Sequence, residues 1–200
     1  MAGRVILEIR NFLGKEINRF NTLSGVQPLD TQIFIDKFVV PFLLTPSTRT
    51  IISAFYVFLL EFDERSSELN LRSTQGSSIG PIISHLFSGC IIFESILKNL
   101  YPRKDDGSAA RNLGNIFHTE AFGKDFIKGI QTTANSLQEI LDGIQGNSME
   151  IAFTTTAKLR NTTGHNLIWD NIFDSTNNFQ KLVHQIINAL FYVIEKKFIK

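Results

Sequence analysis

An all-α fold in a single domain, residues 1–200, is predicted by three features of this sequence. Apolar residues recur at 3.6-residue spacing in one segment after another, and no segment alternates apolar and polar residues as a half-buried strand does. Apolar residues make up 43% of the chain and include 18 Phe, which favours a Phe-packed helical core, with a buried subunit interface as the alternative. The one linker-like stretch, Ser66–Ser78, is flanked by apolar periodicity on both sides, so we expect the two parts to pack together.

The N-terminal part is predicted to form three helices. Arg4–Phe20 is amphipathic, and Asp30 or Thr31 can cap a second helix, Thr31–Leu44, whose end Pro41 is expected to kink. The third, Ser47–Glu64, is apolar nearly all round, which predicts a place at the centre of the bundle.

The C-terminal part is predicted to hold further helices joined by short connectors. In chain order, we expect a long helix Ile79–Tyr101 ended by Pro102, then a connector Asn112–His118 and an amphipathic helix Phe122–Ile144. A helix Met149–Asn161, capped through Gly146–Ser148, should follow. The last helix is predicted to run from Asp174 or Ser175 to the end, with Lys196, Lys197 and Lys200 near its C-terminus.

Charge and cysteine content exclude several classes of function. The net charge of +1 argues against a protein that coats long DNA or RNA. No uninterrupted apolar run reaches the ~18–20 residues of a membrane helix, and no secretory signal is evident. The single cysteine, Cys90, lies in an apolar run, which favours a reducing, cytoplasmic location. No metal-binding spacing and no phosphate-binding glycine loop occur, so we expect neither a metal nor a cofactor.

The segment Arg160–His165 carries the most informative chemistry. In a continuous helix, Asn161 and His165 lie four residues apart on one face, and the long side chain of Arg160 can reach round to them. A neutral His can remove the proton of a ribose 2′-hydroxyl, and Arg stabilises the charge on a phosphate. Gly164 is expected to end the helix, so the three side chains would be presented together at a helix end.

The segment resembles the R-x(4–6)-H motif of the HEPN superfamily, in which Asn, Asp or His often follows the Arg. The order of the helices is also similar, because Phe87–Lys98 looks like the HEPN helix that carries a Glu followed by Leu-Lys, and Asn112–Ile116 looks like a Leu-Gly connector. The resemblance covers about residues 80–200. Residues 1–78 resemble nothing familiar and are predicted to form an added helical layer.

This resemblance implies a bundle of four to five core helices, over residues 79–200, that commonly forms a homodimer with the motif at its interface. It further implies a metal-independent endoribonuclease of a toxin–antitoxin, abortive-infection or other defence system, with an RNA substrate and an antitoxin or nucleotidyltransferase partner. Arg160, Asn161 and His165 would be the catalytic residues, and Glu94 a supporting residue.

Other interpretations stay open. A second match to the motif, Arg111–Asn112 with His118, is expected to be coincidental, because the helix order of the family favours Arg160 and His165 as the site. Arg160 and His165 could instead interact with the dipole and free carbonyls of a helix C-terminus. The chain could then be a non-catalytic HEPN-like scaffold that binds a nucleotide or a protein, or a helical regulator whose Phe-rich face binds an apolar ligand.

Overall fold

A computed structural model describes residues 2–23, 28–71, 80–165 and 176–200. These ranges are mostly helical and contain no strand, apart from an isolated bridge between Arg103 and Ala109, which confirms the all-α prediction. The α-helices are α1 (Ala2–Asn21), α2 (Thr31–Phe34), α3 (Val40–Leu44), α4 (Pro46–Leu71), α5 (Gly80–Leu100), α6 (Leu113–Phe117), α7 (Glu120–Asp125), α8 (Leu137–Asp142), α9 (Met149–His165) and α10 (Thr176–Ile194). The π-helical segments Ile35–Val39 and Glu195–Ile199 complete them.

The centre of the structure is formed by α5 and α10, with α9 packed against both. The prediction that the third helix lies at the centre is wrong, because α4 has an outward side on which Val57 is 52% exposed. Its other side is buried, with Phe55, Phe58 and Leu59 facing the core. Apolar residues therefore lie nearly all round α4, but neighbouring helices pack against only part of its circumference.

Gly89 allows α5 to approach both of its neighbours closely. A Cβ atom built on Gly89 would lie 2.6 Å from the Phe58 ring of α4 and 2.9 Å from Ile186 of α10. These distances are shorter than van der Waals contact, so only glycine fits between the two side chains in this packing.

The helix predicted over Thr31–Leu44 is continuous but changes its winding. Asp30 caps it by accepting a hydrogen bond from the backbone of Ile33, and the turn Ile35–Val39 is π-helical. This wider turn ends two residues before Pro41, which has no N–H and whose ring would crowd the carbonyl of Lys37 in a regular α-helix. The irregularity expected at the end of the helix therefore lies in its middle.

One predicted boundary is wrong, and another lies in a part of the chain that the structure does not describe. The loop predicted over Ser66–Ser78 is helical up to Leu71, because Arg65 pairs with Glu68 at 2.8 Å and Ser66 and Leu69 pack inward, while residues 72–79 lie outside the described part. The start of the last helix, predicted at Asp174 or Ser175, lies outside the described residues as well.

The single helix predicted over Phe122–Ile144 is two short helices, α7 and α8, joined by an irregular segment. Phe126 leaves the helical conformation, Gly129 adopts a positive φ of 82°, and Ser136 begins α8 by accepting a hydrogen bond from the backbone of Glu139. Apolar spacing suggested one helix, but these local breaks divide it.

Phenylalanine side chains fill much of the interior, as predicted from their number. Phe34 contacts Phe38 and Phe191 edge-on at 5.4 Å, and Phe20 contacts Phe191 in the same way, so the N-terminal helices share their aromatic packing with α10. One contiguous core runs from Leu13 to Ile194.

Among the described helices, α5 is long and apolar enough to cross a membrane, with a mean hydropathy of 1.5 over its most apolar stretch. In the structure, 61% of that stretch is buried against other helices, which is the arrangement of a core helix.

Gly89→Ala is expected to destabilise the protein by about 1–3 kcal/mol, because the added methyl group overpacks the contact with Phe58. Gly14→Ala is the control, since its Cβ would lie 3.7 Å from Thr31 on a helix, and it should stabilise by up to about 1 kcal/mol. Urea unfolding of both variants measures the difference, and equal stabilities would contradict the close approach at Gly89.

His85 is a buried histidine in the interface between α4, α5 and α10. Its ring stacks on Phe58 at 4.5 Å and contacts Phe179 at 5.7 Å, and neither ring nitrogen makes a hydrogen bond in the described part of the chain. Burial, and to a lesser degree the charge of Arg65, lower the pKa of His85 to about 4.

The neutral form of His85 should therefore make folding depend on pH. Because the unfolded chain binds a proton near pH 6.5 and the folded chain only near pH 4, stability is expected to fall as pH decreases across this window, by up to about 1.4 kcal/mol per pH unit. His85→Phe keeps the aromatic packing and removes the titration, so its free energy of unfolding should decline less between these pH values. Superimposable pH profiles for the two proteins would show that His85 does not titrate in this way.

Candidate functional site: a buried carboxylate beneath Arg160

Helix α9 begins at a cap and carries a run of threonines. Gly146 takes a positive φ of 123°, and the Ser148 hydroxyl accepts a hydrogen bond from the backbone of Ile151 at 3.2 Å, as the predicted cap requires. The hydroxyls of Thr156 and Thr163 donate to the carbonyls of Ala152 and Leu159, one turn earlier. Thr156 and Thr163 thereby satisfy their hydroxyls inside the helix.

Arg160, near the C-terminal end of α9, is joined to Glu94 of α5. Its Nε donates to Glu94 Oε2 at 2.7 Å, across 66 residues of sequence. The Glu94 side chain is 3% exposed and that of Arg160 26%, so the carboxylate lies inside and the guanidinium extends outward. The structure thus brings together two of the residues singled out in the sequence.

The second carboxylate oxygen faces another cation. Lys98 Nζ lies 2.7 Å from Glu94 Oε1, with a side chain that is 39% exposed. This contact lacks hydrogen-bond geometry, and Oε1 accepts no hydrogen bond within the described residues, so Lys98 balances the carboxylate by charge. Two cations against one carboxylate leave this cluster with one net positive charge.

Asn161 is held against the segment between α7 and α8. Its side-chain amide donates to the Thr132 carbonyl at 2.6 Å, and its Oδ1 lies 3.5 Å from Arg160 Nη1. Gly114, in the predicted Leu-Gly connector, is next to Thr132, since a Cβ built on it would lie 3.9 Å from Thr132 Oγ1. The connector and the Arg160 cluster therefore lie in the same region of the fold.

His165 is the last residue of α9. The structure describes its backbone but not its side chain, and residues 166–175 also lie outside the described part. Gly164 is within the helix, so the prediction that it ends α9 in a left-handed turn is wrong. An α-helix advances about 7.5 Å over five residues, and this is the expected rise from Arg160 to His165 along the axis.

The second motif match occupies a different environment. Arg111 and His118 are both exposed, and Asn112 caps α6 by accepting a hydrogen bond from the backbone of Asn115 at 2.9 Å. Asn112 thus serves as a helix cap, and the structure shows no carboxylate paired with Arg111 among the described residues.

Cys90 lies one helical turn before Glu94 and is fully buried. Burial raises the pKa of the Cys90 thiol, and this effect exceeds the lowering by the charge of Arg160; the negative charge of Glu94 raises the pKa a little further. The thiol is therefore protonated at neutral pH, which disfavours a nucleophilic role.

Comparison of the chain with protein-family models, curated proteins and solved structures gave no match in any of the three.

Lys98 and Thr132 are parts of this cluster that were not assigned a role from the sequence. Lys98 could have been found, because a Glu followed by a Lys four residues later forms ion pairs on a helix. Thr132 contributes its backbone carbonyl, and a contact of this kind cannot be predicted from the type of residue.

We expect the Glu94–Arg160 pair to contribute strongly to stability, because removing Arg160 leaves a buried carboxylate with only one cation. Arg160→Gln should cost about 1–3 kcal/mol, and a double-mutant cycle with Glu94→Gln should give a coupling energy in the same range. The matched control is Lys158–Glu139, another ion pair of α9, in which Glu139 is 40% exposed. Its coupling should be clearly smaller, because solvent screens an exposed pair. Equal coupling in both pairs, measured by urea unfolding, would contradict the importance of burial.

Proposed function

We propose that this chain is a HEPN-like, metal-independent endoribonuclease that works as a homodimer, with Arg160 and His165 as its catalytic residues. The observation that carries the proposal is the attachment of Arg160 to the buried carboxylate of Glu94. This contact uses Nε and fixes the guanidinium at the outer end of α9. A cytoplasmic toxin or defence effector with an antitoxin or nucleotidyltransferase partner is the setting that this activity suggests.

The proposed role of Arg160 is to bind a phosphate through its Nη atoms. Nη2 has no partner among the described residues, and Nη1 has only the 3.5 Å contact with Asn161. A guanidinium that is already oriented loses less entropy when it binds, and it stabilises the negative charge that develops on the phosphate oxygens. Asn161, fixed by the Thr132 carbonyl, would help to hold that orientation.

In the proposed reaction, His165 acts as general base and removes the proton of a ribose 2′-hydroxyl. The 2′-oxygen attacks the adjacent phosphorus, the bond to the 5′-oxygen breaks, and a proton is delivered to that leaving oxygen. The products are a 2′,3′-cyclic phosphate and a 5′-hydroxyl. One His performs half of the proton transfer, so the His165 of a second, symmetry-related copy would supply the other half.

A non-catalytic binding module is the second candidate. It is favoured by the commitment of Arg160 to Glu94 and of Asn161 to Thr132, because these contacts give both residues a structural role without catalysis. In that case the cluster would bind a nucleotide or a partner protein and leave RNA intact.

The purified protein is expected to cleave single-stranded RNA in the presence of EDTA and to leave 2′,3′-cyclic phosphate ends. His165→Ala should lower the rate by about 10²-fold or more, because it removes the general base. The double variant Arg111→Ala/His118→Ala is the matched control, since it alters the second, exposed copy of the same motif, and it should cleave like the wild type.

Thermal unfolding of each variant separates loss of catalysis from loss of folding. A folded wild-type dimer that leaves RNA intact, together with a thermal shift on adding nucleotides, would refute the ribonuclease and favour the binding module. Equal loss of cleavage in the control variant would refute the assignment to Arg160 and His165.

A further inference from the structure

We propose that Lys98 and Arg160 together form a two-cation site that binds one phosphate group of single-stranded RNA, with Glu94 as the positioning residue beneath them. The inference deepens the proposed function by naming a second substrate-binding residue, on a different helix from the motif. It rests on the proposed function for its choice of RNA, while the cation pair itself follows from the geometry.

Both cations contact the same carboxylate. Arg160 Nε and Lys98 Nζ each lie 2.7 Å from a different oxygen of Glu94, one from α9 and one from α5. Because they share one small anionic group, the two positive charges are held close together, which costs energy unless an anion lies near them. Glu94 offsets one of the two charges, and a phosphate would offset the other.

The two cations of this cluster are more exposed to solvent than the carboxylate that they share. The Glu94 side chain is 3% exposed, whereas those of Arg160 and Lys98 are 26% and 39% exposed. An anion that approaches from solvent therefore meets the two cations before the carboxylate. The attraction of the pair for an anion is directed outward, at the end of α9 where the proposed chemistry takes place.

Both cations retain hydrogen-bond donors for a ligand. A Lys ammonium has three N–H donors and a guanidinium five. Lys98 makes no aligned hydrogen bond with Glu94, and the Nη atoms of Arg160 make only the one long contact with Asn161 within the described residues. Arg offers a planar fork and Lys a mobile point charge, a combination that suits the tetrahedral oxygens of a phosphate.

The test measures how salt weakens RNA binding. A short fluorescein-labelled single-stranded RNA is titrated with the His165→Ala protein, which should not cut it, at several salt concentrations. Lys98→Gln should weaken binding about 5–10-fold at low salt and reduce the slope of log K against log salt by about 0.7, the loss expected for one phosphate contact on a single strand. Lys98→Arg should retain both the affinity and the slope.

Lys104→Gln is the matched control, because Lys104 is 36% exposed, much like Lys98, but its ion-pair partner is Asp106, at 3.5 Å, and not Glu94. It should leave the slope unchanged. If Lys98→Gln fails to fold, Lys98→Met keeps the apolar part of the side chain and leaves Glu94 and Arg160 in place, and its slope should show the same loss. An unchanged slope in the Lys98 variants, or no RNA binding at all, overturns the inference.

The remaining outcomes separate this inference from the proposed function. If Lys98→Gln reduces the salt slope of RNA binding but the wild type never cleaves RNA, the phosphate site is supported and the ribonuclease is refuted. A wild type whose cleavage is insensitive to Lys98→Gln supports the ribonuclease and overturns the phosphate site. Saturation by a nucleoside monophosphate with no competition from RNA would assign the site to a free phosphate ligand and overturn the RNA proposal.

Discussion

The buried carboxylate of Glu94 is the constraint on which the geometry of the C-terminal helices depends. A carboxylate this far from solvent costs several kcal/mol unless cations and hydrogen bonds compensate for it. Arg160 and Lys98 supply that compensation, one from α9 and one from its own helix. Because the hydrogen bond to Arg160 requires one side of α9 to face α5, the carboxylate favours one orientation of α9 about its axis.

A second buried carboxylate joins the N-terminal helices to the same core. Glu16 of α1 is 1% exposed, accepts a hydrogen bond from Arg19 at 2.7 Å, and lies near His184 of α10. Arg19 also donates to Asn188 of α10 at 2.9 Å. Together with the contact between Phe20 and Phe191, these hydrogen bonds give α1 one specific position on α10. Apolar packing alone would allow several positions.

Periodicity predicted the long helices because each has one side that must be buried, and this is a local property of sequence. It failed over Phe122–Ile144, where Gly129 and the Ser136 cap interrupt a pattern that apolar spacing makes continuous. The pairing of Glu94 with Arg160 could not be derived from spacing, since 66 residues separate them. Only the resemblance in helix order singled out Glu94, and nothing in it indicated the Thr132 carbonyl.

The two copies of the Arg-Asn-His pattern show why the pattern alone does not define a site. Asn112 caps α6, and the Arg and His of that copy are exposed, with no carboxylate paired with the Arg among the described residues. In the other copy, Glu94 holds the guanidinium of Arg160 at one place and in one orientation. Since an oriented cation binds a phosphate at a lower entropic cost than a mobile one, the affinity of such a site depends on a counterion from another helix. What distinguishes the two copies is therefore the partner that the fold brings to the arginine.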